Sequence, residues 1–65
     1  MRIVKQSLVD YAVELGGKTV AWITKEPLGY RIAATRHAGI DSVWFCRKFS
    51  EAKAEARKLC DIIVQ

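Results

Sequence analysis

The sequence predicts an α+β fold: a four-stranded antiparallel β-meander with one C-terminal α-helix packed on one face. Three observations predict it. Apolar residues alternate with polar ones between residues 9 and 15 and again from Tyr30. Turn chemistry cuts the chain at "LGGK" (15–18), "EPLG" (26–29) and "HAGID" (37–41). After Ser50 the spacing of small and aliphatic residues changes from two to 3.6 per repeat, the period of a helix with one buried stripe. A chain of 65 residues makes a single domain, 1–65. At this size only about 60% of the unfolded chain's surface is hidden on folding, so the core must be economical.

The first strand carries Val9, Tyr11, Val13 and Leu15 on one face and Asp10, Ala12 and Glu14 on the other. A short helix over residues 7–15, with Ser7 as N-cap and Gly16 beyond its last turn, is the competing reading. The β-branched content and the alternation favour the strand. Gly16-Gly17 suits a two-residue hairpin turn whose central positions both need positive φ. That turn sets Val13 opposite Val20 and Tyr11 opposite Trp22, leaving Thr19, Ala21, Ile23 and Lys25 on the outer face of the second strand. "EPLG" has Pro27 at the second and Gly29 at the fourth position of a type I turn. The third strand turns Ile32 and Ala34 inward and Arg31, Ala33 and Thr35 outward. After a looser loop around Gly39, the fourth turns Val43 and Phe45 inward and Trp44, Cys46 and Lys48 outward. The helix has Ser50 as N-cap candidate, Glu51 in its first turn and a core stripe of Ala52, Ala56, Leu59, Cys60 and Ile63. The expected core is therefore Val9, Tyr11, Val13, Val20, Trp22, Ile32, Phe45, Ala56, Leu59 and Ile63.

One helix covers one face, so the other face is the expected working surface. It should present Lys25, Arg31, Thr35, His37, Trp44 and Lys48 as the partner-binding residues, with Arg36, Arg47 and Lys18 near the strand ends. The formal charge of +4 and a pI of about 9.4 favour anionic partners, either nucleic acid or an acidic protein surface. An exposed Trp among Arg, Lys and Thr on a twisted sheet matches the chemistry of groove reading: bidentate Arg on guanine, Thr on a thymine methyl, cations on phosphates.

Enzyme chemistry is not expected. The chain has no Gly-rich phosphate loop, no paired carboxylates and no Cys–His pair at usable spacing. Cys46, Cys60 and His37 are too few and too scattered for a structural zinc site, and two cysteines do not make a disulfide scaffold. Cys46 should face the open side and Cys60 the core, which would leave them unbonded. No metal, cofactor or small-molecule substrate is implied. With no apolar run long enough for a membrane span or a leader, no membrane association is expected and a soluble, cytoplasmic protein is, as monomer or weak dimer.

From Tyr30 to Leu59 the chain resembles the three-strand-plus-helix DNA-binding domains of phage and transposon integrases (their arm-binding domains), which are similar to the plant ethylene-response-factor domain. The resemblance rests on "YRIAATR" as a central strand, "SVWF" as the next strand, and "FSEAKAEA" at Phe49–Ala56 as the strand-to-helix junction. It implies a sheet that enters the DNA major groove, with Arg31, Thr35 and Trp44 as readers. The alternative is a phage-type accessory protein that inhibits a host protein complex, as anti-CRISPR proteins inhibit CRISPR-Cas effectors. Its support is small size, basic charge and the Trp and Arg enrichment of binding hot spots.

Overall fold

Gly16 and Gly17 hold φ of 61° and 80°, the left-handed values that a primed two-residue hairpin turn requires and that glycine adopts without a Cβ penalty. They join β2 (Asp10–Leu15) to β3 (Lys18–Glu26), and β1 (Arg2–Lys5) pairs with the other edge of β2. Pro27 and Leu28 join β3 to β4 (Gly29–Ala34), which pairs with β5 (Val43–Cys46). α1 (Phe49–Val64) closes the chain. This computed structural model describes residues 1–35 and 43–64. The sheet is an antiparallel meander in the order β1-β2-β3-β4-β5, so it has five strands rather than four. Residues 10–15 are strand, not helix, and Ser7 serves a turn: its hydroxyl accepts from the Val9 and Asp10 N–H groups at 3.2 and 3.1 Å.

The faces of β3 are reversed from the sequence reading, and the cause is local. Leu15 pairs with Lys18 and Glu14 with Thr19, as a two-residue turn dictates, but Val13 then pairs with Ala21 rather than Val20. Val20 is the extra residue of a β-bulge, and a one-residue slip turns every later side chain to the opposite face. Ala21 and Ile23 are fully buried beneath the helix, and Trp22 is 39% exposed on the open face. Lys25, the Cα partner of Tyr30, moves to the helix side with them.

β5 is reversed as well. Trp44 is the partner of Ile32 and Cys46 of Tyr30, so both lie on the helix side, half-buried against the core. Val43 and Phe45 turn outward and are 63% and 52% exposed. Val9, expected in the core, is exposed in the β1–β2 turn. The core is Val13, Val20, Ala21, Ile23 and Ile32 from the sheet under Ala52, Ala56, Leu59 and Cys60 from α1, with Tyr11, Leu15, Trp44 and Ile63 packed at its margin. The alanines let the helix approach the sheet closely, as their spacing predicts.

α1 begins two residues earlier than Ser50 as N-cap suggests. The Lys48 carbonyl accepts from the Ala52 N–H at 3.1 Å, which makes Lys48 the N-cap. The Glu51 carboxylate reaches back to accept from the Lys48 N–H at 3.1 Å, the reciprocal half of a capping box.

Both cysteines are free. They share the helix side of the sheet, contrary to the expected split. What keeps them apart is position along the helix: Cys46 lies beside its start, and Cys60 lies about 16 Å further on at 1.5 Å per residue from Phe49.

Candidate functional site

In this meander β1, β3 and β5 all run toward one end of the sheet, and α1 starts there. Lys5 ends β1, Lys25 lies one residue from the end of β3, Arg47 and Lys48 follow β5, and Lys53 lies in the second turn of α1. All five are exposed. The ion pairs among the described residues, Arg31–Glu26 at 3.3 Å and Lys58–Glu55 at 3.5 Å, use none of them.

These cations surround three half-buried rings. Phe49 lies between Tyr11 and Tyr30, with centroid separations of 4.7 and 5.3 Å. Lys5 is the Cα partner of Tyr11 and Lys25 that of Tyr30, so each shares a face with one ring. The Lys53 ammonium sits 5.7 Å from the Phe49 centroid, within cation–π reach. The carboxylates at this end already have partners. Asp10 accepts from Ser7 at 3.3 Å and Thr24 at 3.0 Å, Glu26 holds Arg31, and Glu51 caps the helix. The positive end of the helix dipole adds to the same field. Leu8 and Leu28 stand exposed on the two hairpin turns beside it.

The open face has a different character. Its middle row crosses all five strands as Val4, Ala12, Trp22, Ala33 and Val43. Ala12 is buried but stands outside the core cluster, covered on the open side. Around this row, among the described residues, lie two cations, Arg2 and Arg31, and three carboxylates, Asp10, Glu14 and Glu26. The excess positive charge of the described residues therefore lies off this face, contrary to the sequence reading.

The six residues expected to form one surface separate accordingly. Lys25 and Lys48 come together at the helix-start end. Arg31 is on the open face, tied to Glu26. Trp44 is turned toward the helix. Thr35 locks the bulge: its hydroxyl donates to the Thr19 carbonyl at 2.7 Å and its N–H to the Val20 carbonyl at 2.9 Å. His37 and Arg36 lie outside the described residues. Lys5 and Lys53 escaped the sequence reading. Lys5 belongs to a strand too short to register by alternation, and Lys53 reads as ordinary solvent-facing helix until Phe49 is placed beneath it.

Burial pushes both thiols above the ordinary value of 9.0. The Glu55 and Glu51 carboxylates add to the shift at Cys46, and at Cys60 the N-terminal ammonium opposes it in part. Both are protonated, weakly nucleophilic groups at neutral pH. Among the described residues no cluster of three or more His, Cys, Asp or Glu side chains could hold a metal ion, and no helix is long and apolar enough to cross a membrane. No family model, curated protein or solved structure matches the chain.

Proposed function

We propose that this chain is a nucleic-acid-binding protein that holds the phosphate backbone with the end of the sheet where α1 begins. The observation that carries the reading is the convergence of Lys5, Lys25, Arg47, Lys48 and Lys53 from four segments onto one aromatic-floored end, all exposed and outside the ion pairs of the described residues. Cations in this state exchange small counterions for phosphates, which makes binding strong at low salt and insensitive to sequence. The open sheet face, apolar and mildly acidic at its rim, is a poor phosphate surface, so the site differs from the one the integrase-like resemblance implies.

The test is a salt titration of binding to a fluorescent DNA duplex. Five neutralised phosphates give a log–log slope of about −4.5, a loss of about 500-fold in affinity between about 50 and 200 mM salt. Lys25→Gln and Lys48→Gln should each make the slope shallower by about 0.9. An unchanged slope in the double variant moves the site elsewhere. Absence of binding at low salt removes the reading. Equal binding to polyglutamate would reassign the end to an acidic protein surface. Binding only to anionic vesicles, through Leu8 and Leu28, would reassign it to a lipid surface.

A further inference from the structure

The open face has an internal symmetry that its strand order creates. Read from β1 to β5, the middle row is Val4, Ala12, Trp22, Ala33, Val43, the same read in either direction. The adjacent row places Asp10 on β2, Thr24 on β3 and Arg31 on β4. Here the two sides of β3 are not identical but opposite in charge. A two-fold axis running along β3 in the plane of the face exchanges β1 with β5 and β2 with β4, and leaves β3 on itself.

We propose that this face is the contact between two copies of the chain, related by that axis. Each position then meets a fitting one. Val4 meets Val43 of the other copy, Ala12 meets Ala33, Trp22 meets Trp22, and Asp10 meets Arg31 twice over. This reciprocity is what an isologous interface demands. Sheets packed face to face stand about 10 Å apart, and each indole has alanines on both flanks to lie over. Arg31 meets Glu26 through its Nε at 3.3 Å, and a guanidinium has five N–H donors, enough to serve a second carboxylate as well. Arg2 and Glu14 stand at opposite register positions on β1 and β2 of one copy. A second copy fits better than nucleic acid, because among the described residues the face carries more carboxylates than cations. The face is small: five strands at about 4.8 Å give a width of about 24 Å, so the contact belongs with weak interfaces rather than obligate ones. The axis also brings both basic ends to the same pole of the dimer. The proposal does not depend on what those ends bind.

The experiment is sedimentation equilibrium on the full chain from about 10 μM to about 1 mM, the range in which a weak dimer forms. The wild type should pass from monomer to dimer mass within it. Trp22→Glu and Trp22→Lys each place a charge against its own copy on the axis, so each alone should stay monomeric. An equimolar mixture of the two should regain dimer, because the charges then pair. Melting curves establish that the variants are folded. Should position 22 not tolerate charge, Val43→Glu, at the edge of the row, should abolish the dimer on its own. A wild type that stays monomeric at the highest concentration overturns the proposal and leaves the face to a different protein. So does a dimer that survives the single variants, or a mixture no more associated than its components.

Discussion

The neighbours Trp44 and Phe45 give the sharpest test of the register. The expectation from chain alternation alone is that Phe45 is core and Trp44 surface, whereas the pairing of Trp44 with Ile32 and of Phe45 with Arg31 requires the reverse. Truncating a buried Trp to Ala costs about 3–5 kcal/mol. Trp44 retains part of its exposure at the core margin, so Trp44→Ala should cost about 2–4 kcal/mol. Phe45 is 52% exposed, and half the transfer energy of a fully buried Phe is about 1 kcal/mol. A domain of this length has about 3–10 kcal/mol of total stability, and each kcal/mol moves Tm by about 4–8 °C. Trp44→Ala should thus lower Tm by about 8–32 °C and Phe45→Ala by about 4–8 °C. Urea denaturation followed by helix ellipticity measures both, with an unchanged m-value showing that the unfolded states are comparable. If Phe45→Ala proves the more damaging of the two, the faces of β5 are wrong, and with them the row on which the dimer rests.

Other outcomes follow from single contacts. Gly29 has φ 154°, and a Cβ there would collide with the Cys46 carbonyl oxygen and press on the Phe45 ring; Gly29→Ala should cost about 2–5 kcal/mol in denaturant titration, from strain and overpacking together. Gly16→Ala, with the same loss of freedom but open space around it, should cost about 1–2 kcal/mol. Thr35→Val removes the hydroxyl that holds the Thr19 carbonyl and should destabilise by about 1 kcal/mol, with faster amide exchange at residues 19–21 as the diagnostic. Because burial raises both thiol pKa values, the unfolded chain ionises its cysteines first. Their contribution to stability is then complete below the ordinary value of 9.0 and is lost as pH climbs through the raised folded values. Replacing both with Ala should flatten that alkaline decline in Tm.

The parts of the fold that the sequence made legible are those where chemistry alternates. In β2, Tyr11 and Val13 are separated by Ala12 and flanked by Asp10 and Glu14. In β4, Ile32 lies between Arg31 and Ala33. Each has one parity that buries the larger apolar groups. The helix stripe was legible for the same reason at a different period. β3 and β5 were not, because Val20-Ala21-Trp22-Ile23 and Val43-Trp44-Phe45-Cys46 are unbroken apolar runs. An apolar run has no parity of its own, and the choice passes to pairing partners. In β3 that choice is made by the bulge, which depends on Thr35, a residue 15 positions after Val20 in the sequence. The working end was half legible. Lys25 and Lys48 were singled out, but the surface to which they belong appears only when four segments are brought to one end.

The bulge at Val20 also means that the hairpin has a second register open to it, the continuous one. Without the bulge, residues 10–26 can zip from the glycine turn in continuous register, placing Trp22 beside Val20 on the helix side in place of Ala21 and Ile23. The apolar run gives both faces similar character, and within the hairpin the Thr24–Asp10 hydrogen bond at 3.0 Å is what favours the bulged pairing. The native choice is made later, when Thr35 arrives with β4 and the alanines of α1 demand a floor too shallow for an indole. A peptide of residues 10–26 alone is therefore expected to exchange between two registers. In the whole chain, a β2–β3 pair that zipped in the continuous register would have to open again before the helix could dock.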